Sequence, residues 1–377
     1  MDRIGAATSS PGSCPVDGSG NWIFSGSYDP DDVVFLLKPC RIEHTGIAEK
    51  EALIQSGKRH YSEMLSVEQV PDERYLRLYE EALTANAGRL RHDIDQLARQ
   101  IQARPKTSES CVVLSLARAG TPIGILLKKA LTRIGVATAH YSISIIRGRG
   151  IDENALAYIA ARHGTANAIF VDGWTGKGAI RAELDRSLQN SSFEPFLVVV
   201  ADPAGRADLA ATFDDYVIPS GLLNGIVSGL VSRSILNRQL VGPADFHACA
   251  YMAEYGASDV SRDFIARVEQ AAVRHPPSAP WTRGEVERTR HDAEAVVRSI
   301  AEDCGVRDFN RIKPGIAEAT RAILRRVPDR VYVRQRSDPD VAHICLLAER
   351  AGVPVVEKRT GTYRAITIIK DLGGEQQ

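Results

Sequence analysis

The chain has 377 residues, of which 44% are hydrophobic and 25% are charged. These values are ordinary for a soluble globular protein, and the length is sufficient for two domains. Lysine plus arginine and aspartate plus glutamate both total 47, so the chain as a whole has no net charge that would attract nucleic acid or an anionic membrane.

The N-terminal segment and the cysteines indicate the compartment. Residues 1–20 lack the apolar core of a signal peptide and are predicted to be a disordered leader. The six cysteines are widely spaced without a CxxC pair, which disfavours a metal site or a disulfide framework and favours the cytoplasm. No apolar run approaches the roughly 20 residues that a membrane helix needs, so no membrane partner is expected.

Residues 21–274 are predicted to form an α/β domain with a parallel sheet and flanking helices. Apolar, strand-like runs at 111–116, 138–146, 168–172 and 196–201 alternate with helix-like stretches. This alternation is typical of βαβ units, in which ligands bind beyond the carboxyl ends of the strands.

A group of large polar side chains precedes the first of these strands. Lys58, Arg59 and Tyr61 lie beside a small Ser-Gly turn and are predicted to hold an anionic ligand, with the tyrosine stacking on a base. The alternative is a solvated helix start with Tyr61 in the core. Arg147 lies in a basic loop after a strand and is a further candidate ligand contact.

The turn Arg118-Ala119-Gly120 follows the strand predicted at 111–116. Its backbone N–H groups and the planar guanidinium of Arg118 suit the binding of phosphate oxygens. The alternative is an ordinary helix N-terminus with Pro122 in its first turn.

A glycine-rich turn follows the strand predicted at 168–172, in the stretch IFVDGWTGKGAI. A Walker loop is excluded, because Gly173 is too close to Gly176-Lys177 and no Ser or Thr follows the lysine. A GxGxxG fingerprint is excluded, because Arg181 stands where its third glycine would be. An acid ending a strand before Thr-Gly-x-Gly resembles the phosphoribosyl-pyrophosphate loop of type I phosphoribosyltransferases. An ordinary strand–turn–helix is the alternative.

That resemblance implies a site for phosphoribosyl pyrophosphate. The turn at 118–120 would hold the pyrophosphate, with Mg²⁺ bridging its oxygens. Asp172 would accept hydrogen bonds from the ribose hydroxyls, and backbone N–H groups at a helix N-terminus would surround the 5-phosphate. The implied catalytic residues are Asp172, Arg118 and Lys177, and the implied ligand contacts in the two turns are Ala119, Gly120, Thr175, Gly176, Gly178 and Ala179.

Small polar residues recur every four positions in the stretch 221–237. This spacing predicts a helix with Asn224, Ser228 and Ser232 on one face. Such a face either lines a site or allows a neighbouring element to pack closely.

Several long stretches, together with the two turns, resemble the phosphoribosyltransferase-like proteins of bacterial tellurite-resistance and stress-response gene clusters. That family also carries the label cysteine protease StiP, and the resemblance extends from Phe24 to Val268. A protease needs a thiolate beside a base. Cys249 lies two residues after His247, but positions i and i+2 point away from each other, so protease is the least favoured function. The stretches are 24–39, 53–66, 221–237 and 242–251.

The C-terminal part is predicted to be a separate small α/β domain, residues 282–377, after a proline-rich linker at 275–281. The sequence from Gly315 to Arg321 resembles the helix start of Pelota/L7Ae-type RNA-binding domains, with Ala317 in place of a base-reading asparagine. The resemblance implies RNA phosphate contacts, and the alternative is a solvated face of a packing domain. The implied contacts are Lys313, Gly315, Glu318, Arg321 and Arg325.

The function predicted from these features is an enzyme that transfers a phosphoribosyl group between phosphoribosyl pyrophosphate, or a nucleotide, and an unidentified acceptor in a stress pathway. The alternative is a nucleotide- or RNA-binding regulator. Gly173 favours this alternative, because it stands where the transferase family usually has a second acid. A homodimer is left open.

Overall fold

The computed structural model describes residues 23–107, 109–273 and 280–372. The leader predicted at 1–20 and residues 275–279 of the predicted linker lie outside these ranges. The domain limits stay predictions.

A parallel six-stranded sheet forms the centre of the N-terminal domain, in the spatial order β1-β4-β3-β7-β8-β9. The strands of the domain that the structure describes, including the short ones outside this sheet, are in chain order β1 (Val34–Leu36), β2 (Lys38–Pro39), β3 (Ser110–Leu116), β4 (Ala137–Ile143), β5 (Ile145–Ile146), β6 (Gly150–Ile151), β7 (Ala168–Trp174), β8 (Leu197–Ala201), β9 (Leu209–Thr212) and β10 (Ala248–Cys249).

Helices cover the faces of this sheet, and a capping residue in the sequence marks the start of the longest one. Asp72 caps the longest helix by accepting a hydrogen bond from the Tyr75 N–H at 2.9 Å. Because β3, β7 and β8 are covered on both faces, their sequences are almost continuously apolar. The helices of the domain are α1 (Ile47–Gln55), α2 (Glu73–Gln102), α3 (Gly120–Arg133), α4 (Glu153–His163), α5 (Ala179–Leu188) and α6 (Ser261–Gln270).

The chain order creates a crevice at one edge of the sheet. From β3 the chain passes outward to β4, and after α4 it returns to the other side of β3 as β7. Ligands in open α/β sheets bind at such a reversal, beyond the carboxyl ends of the strands. The turns at 117–119 and 174–178 both leave the sheet there.

The helix predicted within 221–237 is wrong. This stretch contains only short 3₁₀ turns, at Pro219–Gly221 and Gly225–Val227. Gly229 has a φ of +76°, and a Cβ there would lie 2.9 Å from the Tyr28 ring. Gly229 therefore serves close packing against Tyr28 and Phe35, and its positive φ is incompatible with a right-handed helix.

The C-terminal domain has a four-stranded sheet in the order β11-β14-β12-β13, with a parallel pair between β12 and β13. Its first helix begins with a capping box between Thr282 and Glu285. The elements are α7 (Arg283–Asp303), β11 (Ile312–Pro314), α8 (Ile316–Arg325), β12 (Pro328–Val333), α9 (Ala342–Arg350), β13 (Val355–Glu357) and β14 (Ala365–Ile369). The predicted α/β class, with a parallel sheet and a smaller second α/β domain, is confirmed.

The two domains share one hydrophobic core. Leu222 and Leu223 of the N-terminal domain belong to the same buried cluster as Ile316 and Ile323 of α8. The C-terminal domain is therefore packed firmly against the N-terminal domain, because separating them would expose apolar surface to water.

Asp215 joins the domains at the start of α8. Both of its carboxylate oxygens lie 3.1 Å from the Ile316 N–H, and one accepts a hydrogen bond from the Arg364 N–H at 2.8 Å. A carboxylate at a helix N-terminus satisfies unpaired N–H groups and complements the helix dipole. Burial nevertheless raises the pKa of Asp215 to about 7.

The raised pKa of Asp215 predicts a pH dependence of stability. Between pH 4 and 7 the folded state holds a proton on Asp215 that the unfolded state has lost, so the free energy of unfolding falls as the pH rises. Relative to Asp215→Asn, wild-type protein should lose about 2 to 4 kcal/mol across this range. Denaturant unfolding at several pH values measures the difference, and parallel profiles for the two proteins would contradict the prediction.

Candidate functional site

A cavity of about 330 Å³ lies between the carboxyl edge of the parallel sheet and the β11–α8 segment of the C-terminal domain. Its N-terminal wall consists of the turns after β3, β5 and β7, and its C-terminal wall extends from Lys313 to Arg326. Its volume is within the range of sites for nucleotide-sized ligands.

The glycine-rich turn lies between the two domains. Thr175, Gly176, Gly178 and Ala179 all line the cavity. The Tyr363 hydroxyl donates to the Gly176 carbonyl at 2.9 Å, and a Cβ at Gly176 would come within 3.1 Å of the Glu318 side chain. A side chain at position 176 would therefore crowd Glu318 at the contact with the C-terminal domain.

Asp172 lies on the cavity wall where the sequence places it. One of its oxygens accepts a hydrogen bond from the Gly173 N–H at 2.8 Å. Burial raises the pKa of Asp172 to about 6, although the charge of Arg321 favours its ionised form. The carboxyl group is therefore mostly ionised at pH 7.

Arg118 is held by the protein itself. Its guanidinium donates to the Val231 carbonyl at 2.7 Å and pairs with Glu68, which also accepts a hydrogen bond from the Gly225 N–H at 3.0 Å. This side chain is 5% exposed. Two of its donors are thus already used, which corrects the expectation that its fork is open to pyrophosphate.

The two residues after Arg118 differ in position. Ala119 lines the cavity, whereas Gly120 is outside the lining. A Cβ at Gly120 would lie 2.2 Å from the Val171 carbonyl oxygen, so this glycine is required for packing of α3 against β7. The structure thus gives Gly120 a packing role, and its contact with a ligand stays a prediction.

Three lysines of the cavity have lowered pKa values. Burial, followed by the charge of Arg233, lowers the pKa of Lys50 to about 7. Burial and neighbouring cations also lower the pKa of Lys177 to about 7 and that of Lys313 to about 8. The Lys177 ammonium donates to the Phe309 carbonyl of the other domain. These shifts show that cations are crowded into a space with little water.

The predicted clamp around Tyr61 is only partly present. Tyr61 lines the cavity, and its hydroxyl accepts a hydrogen bond from the Arg147 N–H at 2.9 Å, so Arg147 is held at the cavity edge. Lys58 and Arg59 are exposed and outside the lining, and Arg59 lies 3.8 Å from Glu63. These two cations lie at the exposed surface after the end of α1, and their contact with a ligand stays a prediction.

The residues predicted to contact RNA face the N-terminal domain. Lys313, Glu318, Arg321 and Arg325 line the cavity, whereas Gly315 is buried beside Asp215. The Arg321 guanidinium lies 4.5 Å above the centre of the Trp174 ring and 3.5 Å from Glu318. This basic helix face is therefore a cavity wall rather than an open surface.

Sequence reasoning missed four polar lining residues, Lys50, Arg181, Arg233 and Ser234. A signal for one of them was present. Arg233 is the single charged residue in the apolar, small-residue stretch 221–237, and a lone charge in such a stretch is typical of a buried functional group. The other three have no comparable signal in the sequence.

Four of the described cysteines, Cys40, Cys111, Cys249 and Cys345, are poorly placed for nucleophilic chemistry. Cys111 and Cys249 are buried, and burial raises the pKa of Cys111 to about 12. Burial also raises the thiol pKa values of Cys40 and Cys345, whereas a nucleophilic thiolate needs a lowered pKa. His247, the histidine near Cys249 in sequence, has its Nδ1 2.8 Å from the Ser144 hydroxyl.

A magnesium ion has few ligands in this cavity. Asp172 and Glu318 are the two carboxylates of the lining, and Arg321 acts on both. Within the described ranges no group of three or more His, Cys, Asp or Glu side chains could hold a metal ion. The lining therefore does not fit a magnesium site of the protein's own.

Among the helices of residues 23–107, 109–273 and 280–372, none is both long enough and apolar enough to span a membrane.

Two sequence families match the chain. The family described as "Tellurite-like stress resistance cysteine protease StiP" matches residues 26–269, and the PELOTA RNA binding domain matches residues 291–371. A curated protein of Acinetobacter baylyi named "Cysteine protease StiP" is 44% identical over 366 residues, which cover 93% of this chain and 95% of that protein.

Solved structures of hypoxanthine phosphoribosyltransferase from Trypanosoma cruzi resemble a third of the chain. One is 16% identical, and the matched region covers 33% of this chain and 75% of the solved chain, with a TM-score of 0.26. Another, in complex with the product IMP, is 14% identical, and the matched region covers 34% of this chain and 77% of the solved chain, with a TM-score of 0.26. Likeness at this level assigns no activity.

The predicted reaction, phosphoribosyl transfer, is wrong, because the matching family and the curated relative are both named as cysteine proteases. The predicted enzyme class is thus not supported, but the family carries the name of an enzyme, and to that extent the prediction of an enzyme agrees with it. The predicted resemblance, including the RNA-binding type of the C-terminal domain, is confirmed. With well over half of its length matched, the chain belongs to the tellurite-like stress resistance StiP family and carries a C-terminal PELOTA domain.

Proposed function

We propose that the interdomain cavity binds a phosphate-bearing ligand of nucleotide size, either a free nucleotide or the phosphorylated end of an RNA strand. The observation that carries this proposal is the charge of the lining. Ten cationic side chains line the cavity, against the two carboxylates Asp172 and Glu318. The cations are Lys50, Arg118, Arg147, Lys177, Arg181, Arg233, Lys313, Arg321, Arg325 and Arg326.

Six of these cations form no ion pair with a carboxylate in the part of the chain that the structure describes. Arg118, Arg181, Arg321 and Arg326 form ion pairs with carboxylates, but among the described residues the other six have no carboxylate within 4.0 Å. Like charges repel strongly where water is scarce. A multivalent anion removes this repulsion, and phosphate oxygens suit both lysine and arginine donors.

The position of the PELOTA domain supports an RNA end over folded RNA. Its basic helix α8 lines a cavity of about 330 Å³, which admits a nucleotide but not a duplex. The N-terminus of α5 also faces the cavity through Gly178 and Ala179, and unpaired N–H groups at helix starts favour phosphate.

The lysine pKa values predict a pH dependence of binding. Lys50 and Lys177 are largely neutral above pH 7 and must take up protons when an anion binds. The affinity for 5′-AMP, whose phosphate is fully ionised above about pH 7, should therefore fall by about tenfold or more between pH 7 and 9. Calorimetry in two buffers of different ionisation enthalpy measures both affinity and proton uptake.

Two lysine variants provide the comparison for this experiment. Lys177→Met should weaken binding at pH 7 and reduce the pH dependence. Lys106→Met should change neither, because Lys106 is exposed and pairs with Glu194 outside the cavity. Failure of wild-type protein to bind 5′-AMP, pyrophosphate and 5′-phosphorylated RNA would overturn the proposed function.

Thiol-dependent peptide hydrolysis is a second candidate, favoured by the names of the family and of the Acinetobacter relative. The partly exposed thiols of the described ranges belong to Cys40, Cys304 and Cys345. Cys249 is fully buried in β10, where its carbonyl accepts a hydrogen bond from the Cys40 N–H at 2.8 Å.

Replacing the cysteines one at a time tests this candidate. If the wild-type chain hydrolyses peptides, the Cys249→Ala variant should hydrolyse them at a similar rate, because a peptide does not reach the Cys249 sulfur in the folded protein. Fluorogenic peptide libraries measure hydrolysis, and iodoacetamide labelling followed by mass spectrometry measures access to each thiol. Loss of hydrolysis in Cys249→Ala, with labelling of Cys249 in folded wild-type protein, would contradict the prediction.

A further inference from the structure

We infer that Arg233, Ser234 and Arg325 form a subsite for one phosphate group, at the point where α8 meets the N-terminal domain. This inference rests on the proposed function and names the part of the cavity that recognises the phosphate. It also assigns a role to residues that lie outside the turn at 118–120 and outside the glycine-rich turn after β7.

Three buried polar atoms of this cavity lack a hydrogen-bond partner within the described part of the chain. They are the Nη1 of Arg233, the hydroxyl oxygen of Ser234 and the Nε of Arg325. Ser234 is 5% exposed. Buried polar groups are nearly always hydrogen-bonded, and an unsatisfied one destabilises the protein, so three among the lining residues of one cavity need an explanation.

Other contacts fix the side chains that carry these atoms. The Nη2 of Arg233 donates to the Tyr61 carbonyl at 2.7 Å and to the Met64 carbonyl. The Nη2 of Arg325 donates to the Asn224 side-chain oxygen. Each guanidinium is therefore held in one orientation and keeps a further N–H for a ligand, so little conformational entropy is lost when an anion binds.

The local charge requires an anion rather than a neutral ligand. Arg233 and Arg325 are close enough to Lys50 that both lower its pKa, and Arg118 acts on both arginines. Two carboxylates act on these four cations. Glu68 is already bound to Arg118 and the Gly225 N–H, and Glu51, which acts on Lys50, is already paired with Arg326. A phosphate monoester dianion supplies acceptors for the three donors and most of the missing negative charge.

The subsite needs both domains. Arg233 and Ser234 belong to the N-terminal domain, whereas Arg325 is the last residue of α8. A phosphate bound between them links the domains directly. The C-terminal domain therefore acts as one wall of the binding site rather than as an independent module.

The test compares ligand affinity with the stability of the ligand-free protein. Calorimetry with 5′-AMP should show about 5- to 10-fold weaker binding for Ser234→Ala. The loss should be about 10- to 100-fold for Arg325→Gln. The melting temperature of ligand-free Ser234→Ala should be equal to or above that of wild type, because an unsatisfied buried hydroxyl is removed. A purely structural serine would show the opposite change in stability.

Matched controls exist for both variants. Ser220 has a buried, unpartnered hydroxyl outside the cavity lining, so Ser220→Ala should leave the affinity for 5′-AMP unchanged. Arg283 is exposed on α7, and Arg283→Gln should also bind 5′-AMP as wild type does. Adenosine, which lacks the phosphate, should bind at least tenfold more weakly than 5′-AMP.

The outcomes separate this inference from the proposed function. Absence of wild-type binding to 5′-AMP, pyrophosphate and a 5′-phosphorylated RNA pentamer overturns both. Wild-type binding that Ser234→Ala and Arg325→Gln leave unchanged, or equal affinity for adenosine, overturns the subsite alone. Weaker binding of either 5′-AMP or the pentamer by both variants supports it, and the tighter of these two ligands identifies the source of the phosphate.

Discussion

The docking of α8 onto the carboxyl edge of the parallel sheet is the constraint on which the rest of the site depends. Asp215 holds the first N–H of α8, and the shared apolar cluster around Leu222 and Ile316 holds its inner face. This docking closes the crevice between β3 and β7 and converts an open sheet edge into an enclosed cavity. It also buries the first turn of the helix, which places the basic residues that follow along the cavity wall.

Closing the crevice has an electrostatic consequence. Turns at the ends of parallel strands already contribute cations such as Lys177, and α8 adds Arg321 and Arg325 opposite them. The pKa of Lys177 falls to about 7 because burial and neighbouring charges oppose its protonation. Enclosed charges of one sign repel one another unless an opposing charge is present, which supports the anionic ligand proposed for this cavity. The thiols, by contrast, gain nothing from this arrangement.

Part of this account was predictable from the sequence and part was not. Alternating strands and helices indicated the parallel sheet, and Asp172 with the turn 174–178 does line the cavity, because strand ends converge in such sheets. The helix predicted within 221–237 was wrong, because small residues that allow close packing, such as Gly229, have the same spacing signal as a helix face. The partners of Arg118 lie 50 or more positions away, so no local pattern could reveal that its donors are used.

A crystal structure of the full chain grown with 5′-AMP tests the central claim most directly. The account predicts electron density for the phosphate inside the interdomain cavity, within hydrogen-bond distance of Arg233, Ser234 and Arg325, with α8 still docked on Asp215. Density for the nucleotide on an outer surface of the C-terminal domain, or an empty cavity in crystals saturated with 5′-AMP, would contradict it.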